Sequence, residues 1–287
     1  EFAKRPFCKA HISPVISPLK YGEDAVMVAL ACMKRGVPIS NIVAAMTGAT
    51  SPAPLAGTLA ITLAETLAAL IMINVFEPGY PMIFSNWPLV IDLRTGAFRG
   101  GGGEMALLNA ASAQLSNSLG LPSGCGSSMS DAKAPDAQMG MEKAITALAC
   151  GLAGGNMVYE SSGMMASLLG ASFEAFVMDD EMLSHVHRAL RGIEVTEEDL
   201  GFESIKAAIA GSGHFIDAPQ TMVSMERDYY YPKLADRDEP IVWQESGSMD
   251  HWARAKTKVE QLLQHQPSYL TPAIDAAIRH KYPIKLA

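Results

Sequence analysis

Apolar positions along the chain alternate between short runs and longer periodic stretches. Pro6–Ser13 ("PFCKAHIS") reads as a short strand. Tyr21–Gly36 reads as a helix, with acids in its first turn, Lys34 and Arg35 in its last and Gly36 as its stop. Ile39–Thr47 is the next strand, a helix follows from Pro54 to Phe76, and Pro81–Asn86 is the third strand. Beyond the loop Arg99–Glu104 a helix runs from Glu104 to Leu119. Pro122–Ser127 is a fourth strand, weakened by its glycines. It leads through "GCGSSMSDAKAPDAQ" (Gly124–Gln138) into a helix from Pro135 to Leu152, where Met141, Ala144, Ile145, Leu148, Ala149 and Leu152 fall on one face. Asn156–Ser161 is a fifth strand and Ser172–Arg191 the helix behind it.

Strand and helix alternating at this spacing predict crossover units and a parallel sheet. Five such units, with no glycine-rich dinucleotide turn in the first, favour a (β/α)8 TIM-barrel type over a Rossmann domain. Five strands do not close that barrel, so the expectation is its C-terminal portion, with three strands missing on the N-terminal side. Past Gly192 the pattern changes. Glu194–Gly211 reads as an acidic-start amphipathic helix and His251–His265 as a charged, exposed one. The predicted domains are a barrel portion over 3–192 and a helical C-terminal region over 193–284, anchored by Tyr229-Tyr230-Tyr231-Pro232. Glu1-Phe2 and Lys285-Leu286-Ala287 read as cloning-derived ends of a piece of a longer protein.

With 287 residues, 49% hydrophobic, the chain is long enough to bury one large α/β core. A net charge of -8, offset by no local Lys/Arg cluster, argues against a nucleic-acid partner. Four scattered cysteines without a Cys-x-x-Cys pair read as reduced thiols of a cytoplasmic protein. Leu55–Phe76 has the length of a membrane span, but Glu65 sits at its centre among threonines and small residues. The expectation is a buried helix that also serves a homo-oligomer interface, with no membrane partner.

In a barrel the strand C-termini converge on one mouth. They supply His11 and Ser13; Met46 and Thr47; Ser85, Asn86 and Trp87; Cys125 to Asp131; and Tyr159, Glu160 and Ser161. Gly100–Gly103 lacks the Gly-Lys-Ser/Thr of a phosphate loop. No Gly-x-Ser-x-Gly elbow is present. His185 and His187, two apart on a helix, face different ways, and Glu181 with His185 lacks a third ligand, so no metal is expected. His214 in "GSGHFIDAPQT" (Gly211–Thr221) has two readings, a group that swings over the mouth or one held in a helix-capping turn.

Long segments resemble the corrinoid-dependent trimethylamine methyltransferase family: Ile16–Val26, Gly48–Ala68, Ser130–Tyr159 and Gly170–Val195, then "GSGHF" with "APQT". The similarity is collinear over nearly the whole chain. It implies a (β/α)8 barrel that moves a methyl group from an N-methylated amine to the Co(I) of a separate corrinoid (cobalamin) protein, no cofactor being bound directly. Such a step asks for positioning and desolvation of the N–CH3 group. Aromatic faces and carboxylates would hold a quaternary cation. Among the strand-end and loop residues above, Tyr159, Glu160 and His214 are the candidates for catalysis. Substrate binding falls to His11, Phe84, Asn86, Trp87, Cys125, Ser128, Met129 and Asp131. The trimethylamine enzymes carry pyrrolysine near Gly124–Gln138, and this chain has only standard residues. It therefore resembles the non-pyrrolysine branch of glycine betaine:corrinoid methyltransferases. The competing readings are a non-catalytic amine-binding scaffold or inactive fragment, and a barrel lyase using Lys133, disfavoured by that lysine's acidic neighbours.

Overall fold

In the computed structural model, which describes residues 2–265 and 269–284, all five predicted strands form. The order is β1 (Ala10–Ile12), α1 (Glu23–Met33), β2 (Ile39–Val43), α2 (Leu55–Phe76), β3 (Met82–Asn86), α3 (Gly103–Ser118), β4 (Gly124–Gly126), α4 (Ala137–Leu152), β5 (Met157–Tyr159) and α5 (Phe173–Leu190). Glu1 and residues 285–287, read above as cloning-derived, lie outside the described residues.

Every pairing between these strands is parallel. β2 lies between β1 and β3, and β4 pairs with β5. One parallel bridge, Phe84 to Ser123, joins the two halves, with the Phe84 N–H donating to the Pro122 carbonyl at 2.9 Å. A flat sheet in this order would hold β1 and β5 roughly 19 Å apart, four strand spacings. Instead the Tyr159 ring on β5 meets His11 on β1 at a centroid distance of 4.7 Å. The sheet is therefore curled into a trough. The closed eight-stranded barrel is not found: among the described residues no strand pairs with the outer edge of β1 or β5. What stands is a mixed α/β architecture of five parallel strand–helix units.

The convex side of the sheet carries the helices. Ile12, Ala29, Met33, Ile39, Ile73 and Tyr80 close one core cluster, and Ala113, Cys125 and Cys150 another. α2 is long and apolar enough to cross a membrane by length and composition, yet its one charge is buried. The Glu65 carboxylate accepts from the Ser17 hydroxyl at 2.5 Å and the Leu19 N–H at 2.7 Å, fixing the turn between the short antiparallel pair Val15–Ile16 and Lys20–Tyr21.

α4 begins at Ala137, because the Asp136 carboxylate accepts from the Gln138 and Met139 N–H groups as N-cap. Its apolar stripe is turned outward, with Met141, Ile145 and Leu152 exposed. The buried face is Met139, Glu142, Lys143, Thr146, Ala147 and Cys150, and each of its polar groups is paired.

The predicted helix Glu194–Gly211 starts only at Phe202. Thr196 and Asp199 close a turn, and Gly201 takes φ +65° just before α6 (Phe202–Ala210). Then come α7 (Pro219–Arg227), α8 (Pro240–Glu245), α9 (His251–Leu263) and α10 (Pro272–Lys281). Tyr230 touches the sheet-side helices through an edge-to-face contact with His185, but the firmer anchor is Glu181. Its carboxylate accepts from the N–H groups of Lys233, Leu234 and Ala235, each at 2.6 Å. Leu234 and Ala255 of α9 then join Met139, Ala175 and Met178 in one cluster.

Candidate functional site

Side chains alternate along a strand, so each strand sends every second residue into the trough. The polar and aromatic ones are Lys9 just before β1 and His11 on it, Ser40 on β2, Ser85 on β3 with Trp87 just after it, and Tyr159 on β5, with Ile83 and Met157 among their apolar neighbours. They meet on Tyr159. Its hydroxyl is 3.1 Å from Ser40 Oγ, which is 2.9 Å from Ser85 Oγ. The His11 ring stands edge-on to it, the Trp87 ring lies tilted at 5.4 Å between centroids, and the Lys9 ammonium sits 4.5 Å from its centroid.

The glycines of β4 make this assembly fit. A Cβ on Gly124 would lie 2.3 Å from Ser85 Oγ and 2.8 Å from the Tyr159 ring; one on Gly126 would lie 2.8 Å from the Trp87 ring. Both rings therefore rest on bare backbone, and the Trp87 Nε1–H donates to the Gly124 carbonyl at 3.0 Å.

Backbone strain gathers at the same end of the sheet. Seven non-glycine residues among those described have positive φ, and five of them, Ser128, Glu160, Ala166, Ser167 and Leu168, lie in the loops after β4 and β5. Such conformations persist only where the surroundings enforce them. Here the enforcement is visible. Asp131 accepts from the Gly100 N–H (2.7 Å), the Ser167 hydroxyl (2.8 Å) and Arg99 Nε (2.9 Å). Glu142 accepts from the Ser130 hydroxyl and the Asp131 N–H. Asp179, paired with Lys143, accepts from the Gly163 N–H at 2.7 Å.

The structure thus sorts the expected site residues into groups. His11, Trp87 and Tyr159 come together, with Glu160 beside them. Burial and the Lys9 ammonium, in that order, hold the His11 imidazole below the ordinary histidine range, against the pull of Glu160. Phe84 and Asn86 alternate with Ser85 and Trp87, so they face the helices, both buried. Cys125 also faces the helices, where a hydrogen bond with Cys150 and burial push its thiol up and keep it protonated. Ser128, Met129 and Asp131 are buried in the loop framework, and the three donors on Asp131 make it a pin for that loop. His214 lies in the turn after α6, exposed, with Ser212 and Asp217 of that turn as partners. The structure does not bring it to Tyr159.

Sequence reasoning passed over Lys9 and Ser40. Two-residue alternation from His11 and within Ile39–Thr47 is the signal that finds them. Among the described residues no three His, Cys, Asp or Glu side chains form a metal-binding group. A cavity of about 660 Å³ lies in the C-terminal helices, between Phe202, Gln220 and Arg227, and has no part in the trough.

A profile of the family described as Trimethylamine methyltransferase (MTTB) matches residues 1–284. The chain is 33% identical over 265 residues to a glycine betaine methyltransferase of Desulfitobacterium hafniense (strain Y51), covering 92% of this chain and 55% of that relative. It is 36% identical over 266 residues to the trimethylamine methyltransferase MttB of Methanosarcina thermophila, covering 92% and 54%. To the MttB of Methanosarcina barkeri it is 36% identical over 279 residues, covering 97% and 55%. The chain spans about half the length of these curated relatives. With nearly every residue inside the matched region, this chain belongs to the trimethylamine methyltransferase family.

Proposed function

We propose that the trough is the amine-binding side of a methyltransferase that takes a methyl group from an N-methylated amine of the glycine betaine kind. In the same reading the five units are part of a (β/α)8 barrel, and the acceptor is a corrinoid carried by a partner protein. The observation that carries it is the Tyr159 ring, with an ammonium, that of Lys9, lying 4.5 Å from its centroid. A ring face that receives one alkylammonium has the geometry to receive a methylated one.

The chain's own residues account for the donor half of the step. Tyr159 and the tilted Trp87 ring offer adjoining π faces to a quaternary nitrogen, with the Glu160 carboxylate beside them. Gly124 and Gly126 let the two rings lie close against the backbone, so the bound amine rests on the rings and presents one methyl outward. Ser40 and Ser85 hold the Tyr159 hydroxyl and so fix the ring plane. A quaternary substrate leaves as a neutral tertiary amine, which asks for no general acid. The partner's corrinoid would supply the Co(I) nucleophile. What remains for the protein is alignment and exclusion of water.

The test follows methylation of reduced cobalamin by its absorbance, with the full-length protein and glycine betaine. Wild type is expected to be active, and Tyr159→Ala to lose about tenfold or more in kcat/KM, in line with a lost cation–π seat and misplaced methyl. Undiminished activity in the Tyr159→Ala, Glu160→Gln double variant overturns the assignment.

A further inference from the structure

The Lys9 ammonium makes no ion pair among the described residues. Its near contacts are the Tyr159 ring and the thioether of Met157, a weak acceptor, and no carboxylate lies within ion-pair distance of it among the described residues. It stands two residues before His11 on the same side of β1, and both side chains converge on Tyr159. The ring proposed for the substrate's nitrogen therefore already carries a cation on it, with the Glu160 carboxylate on the other side of the balance that His11 feels.

We propose that Lys9 determines substrate choice at Tyr159, admitting N-methylated zwitterions that carry a carboxylate and turning away simple methylammonium cations. The assignment rests on the reading that the Tyr159 ring receives the substrate nitrogen. A second cation on the same ring meets the Lys9 charge a few ångströms away, and the repulsion offsets what the ring face returns. A substrate with a carboxylate one or a few methylenes from its nitrogen turns that repulsion into an ion pair. Its ammonium lies on the rings while its carboxylate reaches the ammonium of Lys9, each end finding its opposite. Lys9 thus acts against the wrong ligand as well as for the right one, which is how specificity between close analogues is commonly built. His11, held toward its neutral form, adds hydrogen-bonding capacity next to Lys9 without a second charge.

Calorimetric titration of the full-length protein with glycine betaine and with tetramethylammonium tests this, in wild type, Lys9→Gln and Lys9→Arg. Wild type is expected to prefer glycine betaine by about tenfold or more, and Lys9→Gln to shrink that preference to about threefold or less, by weakening the zwitterion and tightening the bare cation. Lys9→Arg keeps the preference. If Lys9→Gln leaves the preference intact, or shifts both ligands equally, the assignment is overturned while Tyr159 as the amine seat stands. If neither ligand binds wild type, the amine seat fails and Lys9 falls with it.

Discussion

The ammonium of Lys143 on α4 and the carboxylate of Asp179 on α5 lie 2.7 Å apart with 0% and 2% of their side chains exposed. Burial works against both charges, drawing the lysine down and the aspartate up, while the pairing and the Gly163 N–H hold them. The pair ties two helices to the loop that carries Glu160. Removing one partner leaves the other buried and uncompensated. Lys143→Met or Asp179→Leu alone is expected to cost about 3–5 kcal/mol, and the double variant clearly less than the sum. Urea unfolding of the four proteins of this cycle measures it. Additive losses would show that the charges do not interact.

Glu65 on α2 makes a comparable connection between the first two units. With both oxygens occupied by Ser17 and Leu19, Glu65→Ala strips a hydroxyl and a backbone N–H of their acceptor. The expected loss is about 1–3 kcal/mol. Hydrogen exchange should rise at residues 17–21 while the β2–β3 ladder stays protected. Uniform deprotection of the whole sheet would contradict so local a role.

These two ion and hydrogen-bond networks also mark where the sequence was hard to read. The strands and their helices were legible because apolar runs and capping residues are local signals. The inward face of α4 was not, since Glu142, Lys143 and Thr146 look like a solvated face until their partners Ser130, Asp179 and Ser128 are known. Those partners come from other elements, and no periodicity within the helix reports them. The site was half legible for a similar reason. Strand ends point to the end of the sheet where His11, Trp87 and Tyr159 meet, but choosing Phe84, Asn86 and Cys125 disregards the alternation that turns them toward the helices. The glycines that weaken β4 as a strand are what seat Trp87 and Tyr159, a reason that lies across the sheet.

Gly126→Ala tests that seat. Its Cβ would stand 2.8 Å from the Trp87 ring, beyond what a rigid contact tolerates, so the indole must shift. We expect a loss of about 1–3 kcal/mol from overpacking. The near-ultraviolet circular dichroism of tryptophan should change, and tetramethylammonium binding should weaken. An alanine accepted with spectrum and binding unchanged would show that Trp87 does not depend on the bare backbone.

The last prediction concerns pH and follows from His11. Because its folded-state pKa lies below the ordinary value, the folded protein holds this imidazole neutral where the unfolded chain begins to protonate it. The contribution to stability is therefore present above about pH 6.5 and is lost as pH falls through that value toward the folded pKa. His251, lowered by burial against the pull of Glu181, adds a loss of the same sign. Binding separates the two. Protonated His11 joins Lys9 as a second cation beside Tyr159, whereas His251 sits on α9. Tetramethylammonium affinity is expected to stay level from about pH 9 through the ordinary histidine range near 6.5 and to fall only at lower pH, as His11 reaches its depressed folded pKa, with His11→Asn flattening the fall. Calorimetric titrations across that range, in wild type, His11→Asn and His251→Asn, read the difference. A fall that survives in His11→Asn and vanishes in His251→Asn would move the titrating group off the trough.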